Sequence, residues 1–274
     1  MTAFGPIVSP EWLYEHIDDP DLRIIDFRWY LVGGKGRDAY VKGHIPGSVF
    51  VDLEAVTGKG GGRHPLPSGA QFEKEMQRAG VSSLTKVVAY DDVGGSVASR
   101  LWFLLRLFGH ESQAVLDGGV GAWGGLLETE EPLVAHGDFR SSEPDRSGIL
   151  DFEDVRKLTG VPLIDARAGE RYRGEKEPID PKAGHIPGAL SAPWAENLGP
   201  GGRFKSPEEL RKRFAGLGIG DETGAVAYCG SGVNATHDLL AMELAGIKNG
   251  RLYAGSWSDW SSRDAPVATG KDPQ

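Results

Sequence analysis

The chain has 274 residues, enough for two domains of ordinary size, each burying its own core. Hydrophobic residues at 39% and charged residues at 25% match soluble globular proteins, and no apolar run reaches the roughly 18 residues that a membrane span needs. A net charge of −9 with pI near 5.3 argues against a nucleic-acid partner and leaves any small anion to be gathered by local Arg or Lys.

A single cysteine excludes an internal disulfide and a Cys-rich zinc site, and fits a reducing compartment. The opening MTAFGPIVSPEW has neither a basic region nor an apolar core, so no signal peptide is read there and the expected location is cytoplasmic.

Taken in order, the first half alternates short apolar runs with amphipathic stretches. Strands are predicted at Leu22 to Asp26, Val49 to Asp52, Val87 to Tyr90 and Ala114 to Leu116. Helices are predicted at Pro10 to His16, Gly69 to Ala79 and Ser96 to Leu107. Ser9-Pro10-Glu11 and Ser206-Pro207-Glu208 read as N-caps with proline in the first turn. Residues 128–148 are rich in Glu, Pro, Ser, Gly and Asp without periodicity, the composition of a linker.

The second half repeats the first. Asp26 with Asp165, His44 with His185, Tyr90 with Tyr228 and Trp123 with Trp260 recur at offsets of 137 to 141 residues. So small a drift over four anchors implies duplication of a whole α/β domain with a central parallel sheet. GHIPG occurs at 43–47 and again at 184–188. The Pro-Gly turn after each His favours a histidine pinned by hydrogen bonds over a ligand.

Gly224 to Ala235 reads GAVAYCGSGVNA, a buried-strand pattern ending in Cys229 and a loop that leads into a helical pattern. A lone cysteine at a strand end ordinarily packs as a small hydrophobe. Here the following Gly-Ser-Gly lets successive amides curl toward one anion at a helix N-terminus, which favours a reactive thiolate.

CGSGVNA resembles the active loop of the mercaptopyruvate sulfurtransferases of the rhodanese superfamily, usually CGSGVTA, with Asn234 the departure. GHIPG and the closing YAGSWSDW at 253–260 resemble rhodanese signatures, Asp259 standing where Glu is usual. The resemblance covers nearly the whole chain and implies an α/β protein of two tandem rhodanese-like domains, each a parallel sheet with helices on both faces. Their expected bounds are 1–127 and 149–274, with the linker 128–148 between them. The first would be catalytically silent, because Asp91 stands where the second has Cys229, and would supply one wall of a cleft.

The implied activity moves a sulfane sulfur from 3-mercaptopyruvate to a thiol or cyanide acceptor through a Cys229 persulfide, without metal or organic cofactor, and a thioredoxin-like reductant is a further expected partner. Backbone amides of Gly230, Gly232, Val233, Asn234 and Ala235 would hold the anion. Arg171 aligns with the family's substrate arginine; Arg167, Arg173 and Arg63 are further candidates. A second arginine used by mercaptopyruvate enzymes would fall near Ile179, where there is none, which keeps thiosulfate as an alternative donor. A proposed Ser-His-Asp arrangement maps to Ser231, His64 and Glu54, against the plainer reading of His64 as a solvated histidine in a flexible glycine-rich loop. A Cys-based phosphatase would need arginine at 235, where the chain has Ala. A non-catalytic sulfur-relay or regulatory module is the remaining alternative.

Overall fold

The computed structural model describes residues 4–273. The chain forms two compact units. One holds the described residues up to Thr57, Pro67–Pro144 and Pro200–Arg203; the other holds Gly58–Leu66, Asp145–Gly199 and the described residues from Phe204 onward.

The first unit is built from β1 (Ile7–Val8), α1 (Pro10–His16), β2 (Leu22–Asp26), α2 (Gly36–Lys42), β3 (Val49–Phe50), α3 (Gly69–Arg78), β4 (Lys86–Tyr90), α4 (Ala98–Leu107), β5 (Gln113–Leu116) and α5 (Gly119–Ala122). Its sheet is fully parallel in the order β1-β5-β4-β2-β3. Ser9 caps α1 by accepting from the Trp12 N–H, as the sequence predicts, while the two-residue β1 and the short α2 carry too little pattern to be read in advance. Leu13, Ile24, Val88, Tyr90 and Leu116 lie in one core.

The second unit repeats the plan with β6 (Ile149–Leu150), α6 (Phe152–Arg156), β7 (Leu163–Asp165), α7 (Gly169–Tyr172), β8 (Leu190–Ser191), α8 (Pro207–Gly216), β9 (Ala225–Tyr228), α9 (Ala235–Leu244), β10 (Gly250–Tyr253) and α10 (Ser256–Trp260). Its parallel order, β6-β10-β9-β7-β8, is the first order translated copy for copy. β9 and, past Lys86, β4 are central and buried, which is why Val87–Tyr90 and Ala225–Tyr228 read as continuous apolar runs.

Residues 128–144, linker-like in composition, run along the first unit. The Glu128 and His44 backbones pair, Phe139 is buried against Phe72, and the Ser142 N–H donates to Phe108 O. Backbone pairing and one aromatic anchor hold this stretch, and neither has a periodic signature. Among the described residues no helix is long and apolar enough to cross a membrane.

The two GHIPG histidines are structural. His44 and His185 are fully buried, stack on Tyr40 and Tyr172 at 3.9 and 3.8 Å, and place Nδ1 at 2.9 and 2.8 Å from those residues' carbonyl oxygens.

Candidate active site

Cys229 follows β9, the central strand of the second sheet, and opens the turn into α9. This is the carboxyl end of parallel strands, where open α/β sheets place their ligands. Its side chain is 1% exposed, and the Gly232 N–H reaches its Sγ at 3.2 Å. Gly232 has φ +79° and a Cβ there would meet Ala254 O at 2.6 Å, so glycine is required to turn that amide back on the sulfur. Val233 and Ala235 are buried beneath the loop, and Asn234 precedes α9 without a side-chain capping bond.

The closing YAGSWSDW motif braces this loop, a role its sequence did not disclose. The Trp257 N–H donates to Cys229 O and the Ser258 N–H to Gly230 O, both at 2.9 Å. Ser256 accepts from the Cys229 N–H at 3.1 Å and donates to Tyr253 O at 3.0 Å. It does so at φ +54°, the one positive φ on a non-glycine residue among those described. Asp259 stands under the motif, accepting from the Tyr253 hydroxyl at 2.8 Å and from Arg263 Nε at 2.9 Å.

The glycine-rich segment Gly58–Leu66 packs with the second unit; Lys59, Gly60 and Gly61 are exposed, Gly62 and Arg63 half-buried and His64 buried. A Cβ on Gly62 would meet Gly255 O at 2.6 Å, and the Arg63 N–H donates to Ser258 Oγ at 2.9 Å. Gly61 and Gly62 therefore serve close approach. His64 is 3% exposed, and its Nδ1 lies 2.8 Å from Ser231 Oγ, so the solvated reading of this histidine is corrected. Glu54 belongs to the first unit, in a short 3-10 helix over Leu53–Val56, where its carboxylate accepts from Trp29 Nε1 at 3.3 Å.

Of the four candidate arginines, two converge on the cysteine loop. A Cβ on Gly230 would lie 3.0 Å from Arg63 Nη2 and 3.5 Å from Arg171 Nη1. Arg171 also bonds Glu177 through Nε (3.2 Å) and Nη2 (2.6 Å), and Asp180 through Nη2 at 3.0 Å. Arg63 Nη1 bonds the other Asp180 oxygen at 2.6 Å. Neither Glu177 nor Asp180 was foreseen; the acidic spacing of EKEPID was the available signal.

Arg173 is a surface pair with Glu175, and Arg167 is a strut. The latter bonds both Asp165 oxygens and Gly184 O, and its guanidinium stands 4.5 Å from the Trp257 ring. Burial opposes its charge, but Asp165 more than offsets this and raises its pKa. Arg28 makes the same bonds to Asp26 and Gly43 O in the first unit, which marks them as part of the fold. Arg171 has no such twin: the offset that pairs Asp26 with Asp165 puts Val32 at its place, 83% exposed.

The first unit's own loop is closed by Asp91. Its Oδ1 accepts from the Val93 and Gly95 N–H groups at 2.9 and 2.8 Å, its Oδ2 from Val97 and Ala98 at 2.7 and 2.9 Å. Burial pushes this carboxyl's pKa up, and the four N–H donors oppose that push. The acidic residue does not merely repel an anion there; its carboxylate occupies the amide cradle itself.

Two five-stranded parallel sheets, with a cysteine-bearing loop on one and a carboxylate in the same loop of the other, define a duplicated α/β sulfur-handling architecture. The sequence profile of the rhodanese-like domain matches residues 9–126 and 151–263, and the chain belongs to the rhodanese family. It is 44% identical over 281 residues to a probable 3-mercaptopyruvate sulfurtransferase of Pseudomonas aeruginosa, covering 96% of this chain and 98% of that one. It is 39% identical over 268 residues to a putative thiosulfate sulfurtransferase, SseB, of Mycobacterium tuberculosis, covering 92% of each. The crystal structure of SseA from Escherichia coli, a 3-mercaptopyruvate sulfotransferase, superposes with a TM-score of 0.83 at 34% identity, covering 92% of this chain and 99% of that one.

Proposed function

We propose that the chain is a sulfurtransferase that takes sulfane sulfur from 3-mercaptopyruvate onto Cys229 and passes it to a thiol or cyanide. The observation that carries this reading is the buried Cys229 with an amide turned onto its sulfur, beside two guanidinium groups over Gly230. Residue-level similarity to sulfurtransferases over almost the whole length supports it.

In the first half-reaction the Cys229 thiolate attacks the donor sulfur. An S–S bond forms, the C–S bond breaks, and its electron pair becomes the enolate of pyruvate. Hydrogen-bond donors preorganised at that oxygen are most effective where charge develops, and Ser231 backed by His64 Nδ1 is such a donor. The donor's thiol proton ends on pyruvate's methyl carbon, and Cys229 is left as the persulfide anion. Arg171 and Arg63 hold the carboxylate, for which a planar charged fork is the best partner. In the second half-reaction an acceptor thiolate or cyanide attacks the outer sulfur, the S–S bond breaks, and the Cys229 thiolate returns. The first unit is catalytically silent in this reading, since Asp91 offers no sulfur nucleophile.

The test is intact-protein mass. Incubation with mercaptopyruvate should add one sulfur, a thiol acceptor should remove it, and Cys229→Ser should neither gain mass nor turn over. Full turnover in Cys229→Ser would overturn the reading.

A further inference from the structure

The network over Gly230 is electrically balanced. Arg63, Arg167 and Arg171 face Asp165, Glu177 and Asp180, three charges against three, and those carboxylates are at most 3% exposed. A bare positive well would attract an anion by charge in proportion to its valence. A balanced network attracts it chiefly through the direction of its N–H groups.

The two carboxylates that meet Arg171, Glu177 and Asp180, differ in what they do. Glu177 is fixed in place: it accepts from Arg171, from Arg167 Nη1 and from the N–H groups of Ile179 and Asp180. The Asp180 side chain spans Arg63 and Arg171, one oxygen to each. These bonds use Arg63 Nη1 and Arg171 Nη2. The other terminal nitrogen of each arginine lies within 3.5 Å of a single point, the Cβ position that Gly230 leaves open. Asp180 immediately follows Ile179, the place that lacks the second arginine the resemblance calls for. The missing cation is thus supplied from the Gly58–Leu66 segment, and Asp180 is what ties it to Arg171.

We propose that Asp180 is a positioning residue that sets donor preference: it joins Arg63 to Arg171 in one carboxylate-reading pair and cancels one of their charges. The pair then favours a donor with a singly charged planar carboxylate over the compact thiosulfate dianion. This rests on the sulfurtransferase reading above.

The experiment compares kcat and KM for mercaptopyruvate and thiosulfate with one acceptor at one pH, in the full chain and in Asp180→Asn, Arg63→Gln and the double variant. Asp180→Asn should raise KM for mercaptopyruvate about tenfold with little change in kcat, and lower the ratio of mercaptopyruvate to thiosulfate kcat/KM at least tenfold. The double variant should bind mercaptopyruvate no worse than Arg63→Gln alone, because the anchor acts through Arg63. An unchanged ratio, a ratio that rises, or additive KM effects would overturn the proposal. Should Asp180→Asn fail to fold, Arg63→Gln decides: its guanidinium is 26% exposed and its loss is tolerable. A mercaptopyruvate KM within about twofold of the parent in Arg63→Gln overturns the pair. Failure of the sulfurtransferase reading looks different, since neither donor would then add sulfur to Cys229 in the unaltered chain.

Discussion

His64 Nδ1 lies 2.8 Å from Ser231 Oγ, although 167 residues of chain separate them. A hydroxyl so held can steady an enolate, whereas sulfite leaving from thiosulfate is already a stable anion. Ser231→Ala and His64→Ala should therefore each lower mercaptopyruvate kcat by about 10²-fold, within the usual range of general acid–base contributions, and leave thiosulfate turnover within a few-fold. Ser231→Lys should lower the first and raise the second. Equal loss on both donors would reduce Ser231 to a residue that shapes the loop.

Arg171 and Arg167 separate binding from folding. Arg171→Ala should raise donor KM, with kcat/KM falling about ten- to a hundredfold because a charge-assisted contact is worth about 1.5–3 kcal/mol, and should cost less stability than loss of Arg167, because Glu177 keeps Arg167 and Asp180 keeps Arg63. Arg167→Met should instead cost stability by about 3–5 kcal/mol, since it strands the buried Asp165. Urea unfolding of the two variants beside their kinetics checks the distinction, and a stable Arg167→Met would break it.

Ser256 is held at φ +54°, while Gly119, its counterpart in the first unit, takes φ +60° without penalty. Strain retained at a functional loop calls for a compensating role, and of the two bonds Ser256 Oγ makes, the one to the Cys229 N–H reaches the cysteine loop. Ser256→Gly should relieve strain yet slow persulfide formation about as much as Ser256→Ala does, near tenfold. Persulfide formation at the parent rate in Ser256→Gly would show the bond to be dispensable.

Asp91 should be a stability residue and nothing more. Asp91→Ala leaves four buried N–H groups without their acceptor and should cost at least about 2 kcal/mol in denaturant unfolding, with the Cys229 reaction unaltered in the folded fraction. A variant as stable as the parent would contradict this account of the loop.

Asp238, fully buried in the first turn of α9, has its pKa pushed up to about 7 by burial, against the pull of Arg213 and Asn197. Because the folded value lies above the ordinary one, the folded state holds the proton more tightly. The stabilisation from this group is full below about pH 4 and is lost as pH rises through about 7. The shift spans about three pH units at ~1.4 kcal/mol each, so the loss reaches roughly 4 kcal/mol. Asp238→Asn should flatten the fall in melting temperature between pH 5 and pH 8; a parallel fall in both proteins would assign it elsewhere.

Sequence alone determined what is local or repeated. The duplication, the central strands β4 and β9, the Ser9 and Ser206 caps and the Cys229 turn are written in contiguous residues, because strand burial, capping and tight turns each depend on a few neighbours. It also placed Asp91 opposite Cys229, since two copies of one loop can be compared letter by letter. Only the tertiary structure decided which arginines converge on the cysteine loop and which are struts, because Arg167 and Arg171 sit four residues apart in one charged stretch and differ in what surrounds them. It likewise laid Gly62 and His64 of the glycine-rich segment against the second unit, and joined His64 to Ser231 and Arg63 to Asp180. Those contacts span 167 and 117 residues, and no local propensity encodes a pairing that only the closing of the chain on itself creates.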